Sequence, residues 1–129
     1  MAASARQPTA LWALFGFDGR INREVFWLGN LLLLALTMML AMVAPFIIVG
    51  PTEADIRPGH PISLVGLLGL MWMQIALTVK RLHDRGVTGW AALVLLIPVV
   101  SIAAFFFIGL MPSQPGANLF GPASNSRGR

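Results

Sequence analysis

Val25 to Val49 reads VFWLGNLLLLALTMMLAMVAPFIIV and carries no charged residue. As a helix rising ~1.5 Å per residue it is about 37 Å long, enough to cross a hydrocarbon layer of ~30 Å with some tilt. Inside such a layer the backbone must satisfy its own polar groups, and an unbroken apolar run of this length does so as a helix. Asn22 stands where an N-cap is needed, and Arg23 and Glu24 fall in the first turn. Pro45 is expected to kink the last turn before the Gly50-Pro51 break ends the span.

Two further apolar runs lie on its C-terminal side. Ile62 to Val79, ISLVGLLGLMWMQIALTV, is closed by Lys80 and Arg81, whose long side chains are expected to reach the interface. Gly89 to Met111 contains Pro98 in its interior. We read it as one span kinked at Pro98; the alternative is a re-entrant hairpin, since neither half is long enough to cross alone. The expected fold class is therefore all-α and integral to the membrane, with about three transmembrane helices. It divides into an N-terminal segment (1–24), a transmembrane domain (25–111) and a turn-rich tail (112–129). In the tail, Asn118 and Gly121 are expected to take left-handed turn positions, and Phe120 to dock on the bundle or the membrane.

Composition agrees with the runs. Of 129 residues, 57% are hydrophobic and only 11% charged, far from the balance of a water-soluble domain. The nine Lys and Arg residues give a net charge of +4, but they sit between apolar blocks and form no single basic face. That distribution excludes nucleic acid as the natural partner and favours the bilayer with its anionic phospholipid headgroups. With no cysteine, thiolate catalysis, disulfides and cysteine-held metals are excluded. Ala10 to Phe17 is too short and too soon followed by charge for a cleavable signal peptide, so membrane attachment is expected to come from the helices.

Basic residues set the orientation. Arg6, Arg20 and Arg23 precede the first span, and Lys80, Arg81 and Arg85 follow the second. Arg57 lies in the first loop, and Arg127 and Arg129 in the tail. The bias places the N-terminus in the cytoplasm and the first loop outside. Three full crossings carry the tail outside; a hairpin returns it inside.

Two polar knots fall on the same expected side. In Lys80-Arg81-Leu82-His83-Asp84-Arg85-Gly86, a helix brings Lys80 or Arg81 to Asp84 at four- or three-residue spacing. The other knot is Asp18-Gly19-Arg20-Ile21-Asn22-Arg23-Glu24. Opposite charges from the two can lock the entrance of the first span to the exit of the second, or together enclose a lipid headgroup. His83 beside Asp84 is half of an acid/base pair, without a nucleophile or metal set, so no catalytic residue is assigned. His60 and His83 fall on opposite expected faces, which leaves no metal site, and no cofactor is indicated. Gln74, Thr78 and Ser101 are the polar groups in or near the spans, expected to bond between helices. Trp27 and Trp90 read as interface or packing residues.

Three strings carry a resemblance: Phe17-Asp18-Gly19-Arg20-Ile21-Asn22-Arg23 followed by Phe26-Trp27, Lys80 through Trp90, and Gly116 through Pro122. From Phe15 to Pro122 the chain resembles the bacterial inner-membrane proteins of domain-of-unknown-function family 805. Val25 and Thr88 depart from the usual residues. The resemblance implies a compact multi-pass helical protein of the bacterial cytoplasmic membrane. It marks Gly19, Arg20, Arg23, Trp27, Arg81, His83, Asp84, Gly86, Gly89, Trp90, Asn118 and Gly121 as positions of interest. The expected function is non-enzymatic, as a scaffold or accessory subunit that packs with itself or with another membrane protein. One rival is a transporter or channel component, which a cavity shared by Gln74 and Ser101 would favour. The other is a headgroup-binding or lipid-modifying protein using the His83 and Asp84 region.

Overall fold

The computed structural model describes residues 8–48 and 61–127. The Gly50-Pro51 break, the loop with Arg57, and His60, Arg6 and Arg129 lie outside the described residues. Four α-helices follow in order: α1 (Ala10–Phe15), α2 (Arg23–Ile48), α3 (Pro61–Asp84) and α4 (Pro98–Leu110), with a 3-10 helix over Gly89–Leu96 before α4. Among the described residues there is no strand; two isolated bridges, Arg20 to Ser126 and Asn118 to Gly121, tie turns together.

Local chemistry starts each early helix. Thr9 caps α1 by accepting from the Trp12 amide at 3.2 Å. Asn22 caps α2 as its position in the sequence implies, its side chain accepting from the Val25 amide at 2.8 Å. Glu24 in the first turn adds a favourable charge at the positive end of the helix dipole. The helix then runs unbroken through Pro45 to Ile48.

α2 and α3 pack as an antiparallel pair, because Gly29 near the start of α2 faces Leu77 near the end of α3, while Gly66 faces Leu40. Arg23–Val43 and Leu64–Asp84 are long and apolar enough to cross a membrane, and most of each stretch is not buried within the protein. Leu28, Leu31, Met38 and Met42 on α2 and Val65 and Trp72 on α3 all point outward. A continuous apolar surface of this kind suits a lipid solvent and not water. The small core of Trp12, Ile21, Phe26, Leu33 and Leu77 lies toward one end of the pair.

The third apolar run is not one rod. It opens as a 3-10 helix, breaks at Ile97, and continues as an α-helix with Pro98 at its first position, where a missing N–H does no harm. Gly89, at its start, lies against Val79 and His83 of α3. At its end the Ile108 carbonyl accepts from Arg81 Nε at 3.2 Å. The run therefore leaves and rejoins α3 at the same level, and thirteen α4 residues reach only about 20 Å. The tail that follows closes over Arg20, as described below. The left-handed positions also differ from expectation: they fall at Gly116 (φ 76°) and Asn125 (φ 58°), not at Asn118 or Gly121.

Gly109 is where α4 meets the aromatic side of α2. A methyl added there would lie 2.7 Å from Trp27 Cζ2 and 3.0 Å from Phe26 Cε1, whereas one added at Gly69 would meet nothing within 4 Å. Gly109→Ala is expected to lower stability by about 1–3 kcal/mol through overpacking, and Gly69→Ala to stay within about 0.5 kcal/mol of the parent. Thermal unfolding of both variants in one detergent checks this; equal behaviour would contradict the close approach.

Candidate functional site

Asp84 ends α3, where the helix dipole already presents negative charge, so a buried carboxylate there needs cations. It has two. Arg20 Nε approaches Oδ1 at 3.2 Å from the segment before α2, and Arg81 Nη1 approaches Oδ2 at 2.7 Å from one turn back on α3. Ser124 Oγ of the tail donates to the same Oδ1. All three charged side chains are fully buried.

Their remaining donors go to backbone carbonyls. Arg20 Nη1 donates to Gly116 at 2.6 Å and Gly121 at 3.2 Å, and Nη2 to Gln114 at 2.7 Å. Arg81 donates to Ile108, to Met111 and, at 3.3 Å, to Ser113 Oγ. Lys80 is expected at the interface or on Asp84; instead it is buried, giving Nζ to Trp12 O at 2.7 Å and Gly16 O at 2.5 Å, with Nζ 5.0 Å from the Trp12 ring centroid. Arg81 thus satisfies carbonyls at the end of α4 and Lys80 those at the end of α1. Both helix ends receive charge-assisted bonds from α3.

Beyond these four side chains the expected cluster loosens. Asp18 and Arg23 are exposed. Arg85 donates to the Pro112 carbonyl, while its buried Nε has no partner among the described residues. His83 and Asp84 face different partners: the imidazole stacks on Phe120 at 3.9 Å, and its Nδ1 lies 3.3 Å from the Gly19 carbonyl. Asn118 Nδ2 donates to His83 O at 2.8 Å. Phe120 therefore docks on the protein through one ring.

The glycines let these strands of chain approach. Gly19 (φ 86°) leaves room for Ser126 O, which an added methyl would meet at 2.3 Å. Gly86 (φ 73°) makes the turn after α3, beside Gln114. Gly121 is buried against the Arg20 side chain. Trp27 packs on Phe105 and Phe106 and donates to Gly109 O at 3.2 Å, while Trp90 stays 80% exposed.

Sequence reasoning missed the tail's part: Gln114, Ser124, Asn125 and Ser126 all bond into the knot, Asn125 Oδ1 accepting from the Asn22 amide at 2.8 Å. Nothing in a stretch of Ser, Asn and Gly announces such bonds. Trp12 was also missed as the platform for Lys80.

A separate cavity of about 680 Å³ lies between α2, α3, the 3-10 helix and α4, and Gln74 and Ser101 line it together. Asn30 and Thr37 are its other polar residues; the rest, including Trp27, Leu34, Phe105 and Phe106, are apolar.

Two helices of spanning length with outward apolar faces, joined at one end by a buried charge knot, define a helical membrane protein. The chain belongs to the family described as Protein of unknown function (DUF805), whose pattern matches residues 14–122. It is 30% identical over 108 residues to the inner membrane protein YhaH of Escherichia coli (strain K12), covering 83% of this chain and 85% of that one. It is 39% identical over 84 residues to the uncharacterized protein YiiR of the same strain, covering 64% of this chain and 51% of that one, so it matches about half the length of that relative. No solved structure matches.

If Asp84 couples Arg20 to α3, Asp84→Asn and Arg20→Gln are each expected to cost about 1–3 kcal/mol. The double variant should lose clearly less than the sum of the singles. Thermal stability in detergent reads the cycle, and strict additivity would remove the bridge.

Proposed function

We propose that this chain is a non-enzymatic, multi-pass protein of the bacterial inner membrane that serves as a scaffold or accessory subunit. The observation that carries this reading is the saturation of the charged knot. Asp84, both buried guanidiniums and Lys80 are engaged by groups of the chain itself, so the residues best suited to acid/base or phosphate chemistry are committed to holding the fold. What remains for interaction is the outward apolar surface of α2 and α3. The inner-membrane location is supported by the family and by the likeness to YhaH.

The topology we propose has two crossings, α2 and α3, with residues 89–110 as a re-entrant hairpin. The knot gathers the N-terminal segment, the end of α3 and the tail on one face, and the excess of basic residues there assigns it to the cytoplasm. The cavity shared by Gln74 and Ser101 favours a second reading, a transporter component. Its lining holds no charged residue, which limits that reading to uncharged cargo.

Tags at the N-terminus, in the turn at Arg85 and at Arg129 are expected to report the cytoplasm, and a tag near Asp55 the outside. A tail tag reporting the outside would replace the hairpin with a third crossing. Crosslinking in native membranes followed by mild-detergent purification and mass spectrometry is expected to return a second copy or another membrane protein in stable association. Recovery of the monomer with lipid alone would contradict the scaffold reading.

A further inference from the structure

We propose that the cavity between α2, α3 and the α4 hairpin is a binding site for an uncharged lipid carrying a carbonyl or hydroxyl oxygen at mid-membrane depth. The site is separate from the charged knot and does not depend on the scaffold reading.

Its position sets the class of ligand. Gln74 precedes Asp84 by ten residues on one helix, about 15 Å from the charged end and so near the middle of a ~30 Å hydrocarbon layer. The space of about 680 Å³ lies in the size range of small-molecule sites and is walled mainly by aliphatic and aromatic side chains. No lining residue is charged. A charged ligand would arrive there without a counter-ion, at prohibitive cost.

The polar groups set the ligand's polarity. Thr37 and Ser101 direct their hydroxyl hydrogens to their own helix, onto Leu33 O at 2.7 Å and Pro98 O at 2.8 Å. Asn30 uses one amide hydrogen on Phe26 O at 2.8 Å, which leaves its Oδ1 as an acceptor. Gln74 differs from all three. Its backbone carbonyl accepts from Thr78, but among the described residues its side-chain amide has no hydrogen-bond partner. An amide at this depth is costly unless paired, and here it borders the cavity. A carbonyl oxygen in the cavity accepts from Gln74 Nε2, and a hydroxyl also donates to Gln74 Oε1 or Asn30 Oδ1. A pure hydrocarbon chain satisfies none of them.

The test uses the full chain in nanodiscs with three diazirine-bearing probes: a short-chain ubiquinone analogue for the carbonyl, farnesol for the hydroxyl, and an alkane of matched length. At least one oxygen-bearing probe is expected to label saturably, at peptides holding Leu31 to Thr37 or Ser101 to Phe106, and the stronger of the two identifies the oxygen. Gln74→Leu, close in volume, is expected to weaken that probe about fivefold, the effect of one lost hydrogen bond, and to leave the alkane unchanged. Ser101→Phe, which fills the space, should abolish saturable labelling, with thermal unfolding verifying that both variants fold. Labelling that does not saturate, that spreads over Met38 and Val65 alike, or that ignores Gln74→Leu would overturn the proposal. So would crosslinks joining two copies through the cavity residues, which would make the space an interface.

Discussion

The carboxylate of Asp84, held between Arg20 and Arg81 out of reach of water, is the constraint on which the rest of this molecule depends. Each guanidinium comes from a different part of the chain, so one acid fixes the segment before α2 to the end of α3. The balance is not neutral: Arg20, Lys80 and Arg81 are buried against a single buried acid. Such a set would be prohibitive if Coulomb pairing were all that held it, since taking each ion out of water costs several kcal/mol. Carbonyl oxygens make up the difference, above all those at the ends of α1 and α4, where backbone acceptors have bonding capacity to spare. The surplus positive charge and the surplus negative helix ends thus answer one another, and breaking either leaves the other unsatisfied.

Much of this architecture is legible in the sequence because it follows from solvent. The charge-free run from Val25, the cap at Asn22 and the pairing of Arg81 with Asp84 three residues on each rest on a local rule, and each stands in the structure, whereas α3 continues past Lys80 to Asp84. Asn22 is the clearest case, since capping needs only a side chain within three residues of the amide it bonds. What is not legible is anything set by a partner far along the chain. Lys80 reads as an interface cation because its spacing shows a helix end; that its ammonium is buried depends on Trp12 and Gly16, more than sixty residues away. The tail reads as a run of turns by composition, and nothing local shows that its carbonyls at Gln114, Gly116 and Gly121 take three hydrogens of Arg20, more than ninety residues away.

The third run shows the same division within one segment. Its apolar length of twenty-three residues is what a spanning helix needs, and Pro98 reads equally as a kink or a break. Arg81 holds the end of α4 beside α3, at the level where the run began. Without that contact a continuous crossing would satisfy the bilayer just as well. With it, the run divides at Ile97, whose N–H is taken up by Val94 O at 3.2 Å.

The division of the third run into two short helices at Ile97 bears on why a cavity exists here at all. Two long helices packed side by side leave a groove, and a third full-length helix would fill it from end to end. α4 instead seats its aromatic residues, Phe105 and Phe106, against Trp27 near the knot, where packing is dense. Nearer its N-terminus Ser101 and Ile102 line the cavity, with Thr37 and leucines of α2 and Gln74 of α3 among the other residues around it. The charged knot and the cavity are thus separate parts of one fold: the first keeps its ions from water with the chain's own groups, and the second leaves a mainly apolar space that the ion cluster does not line.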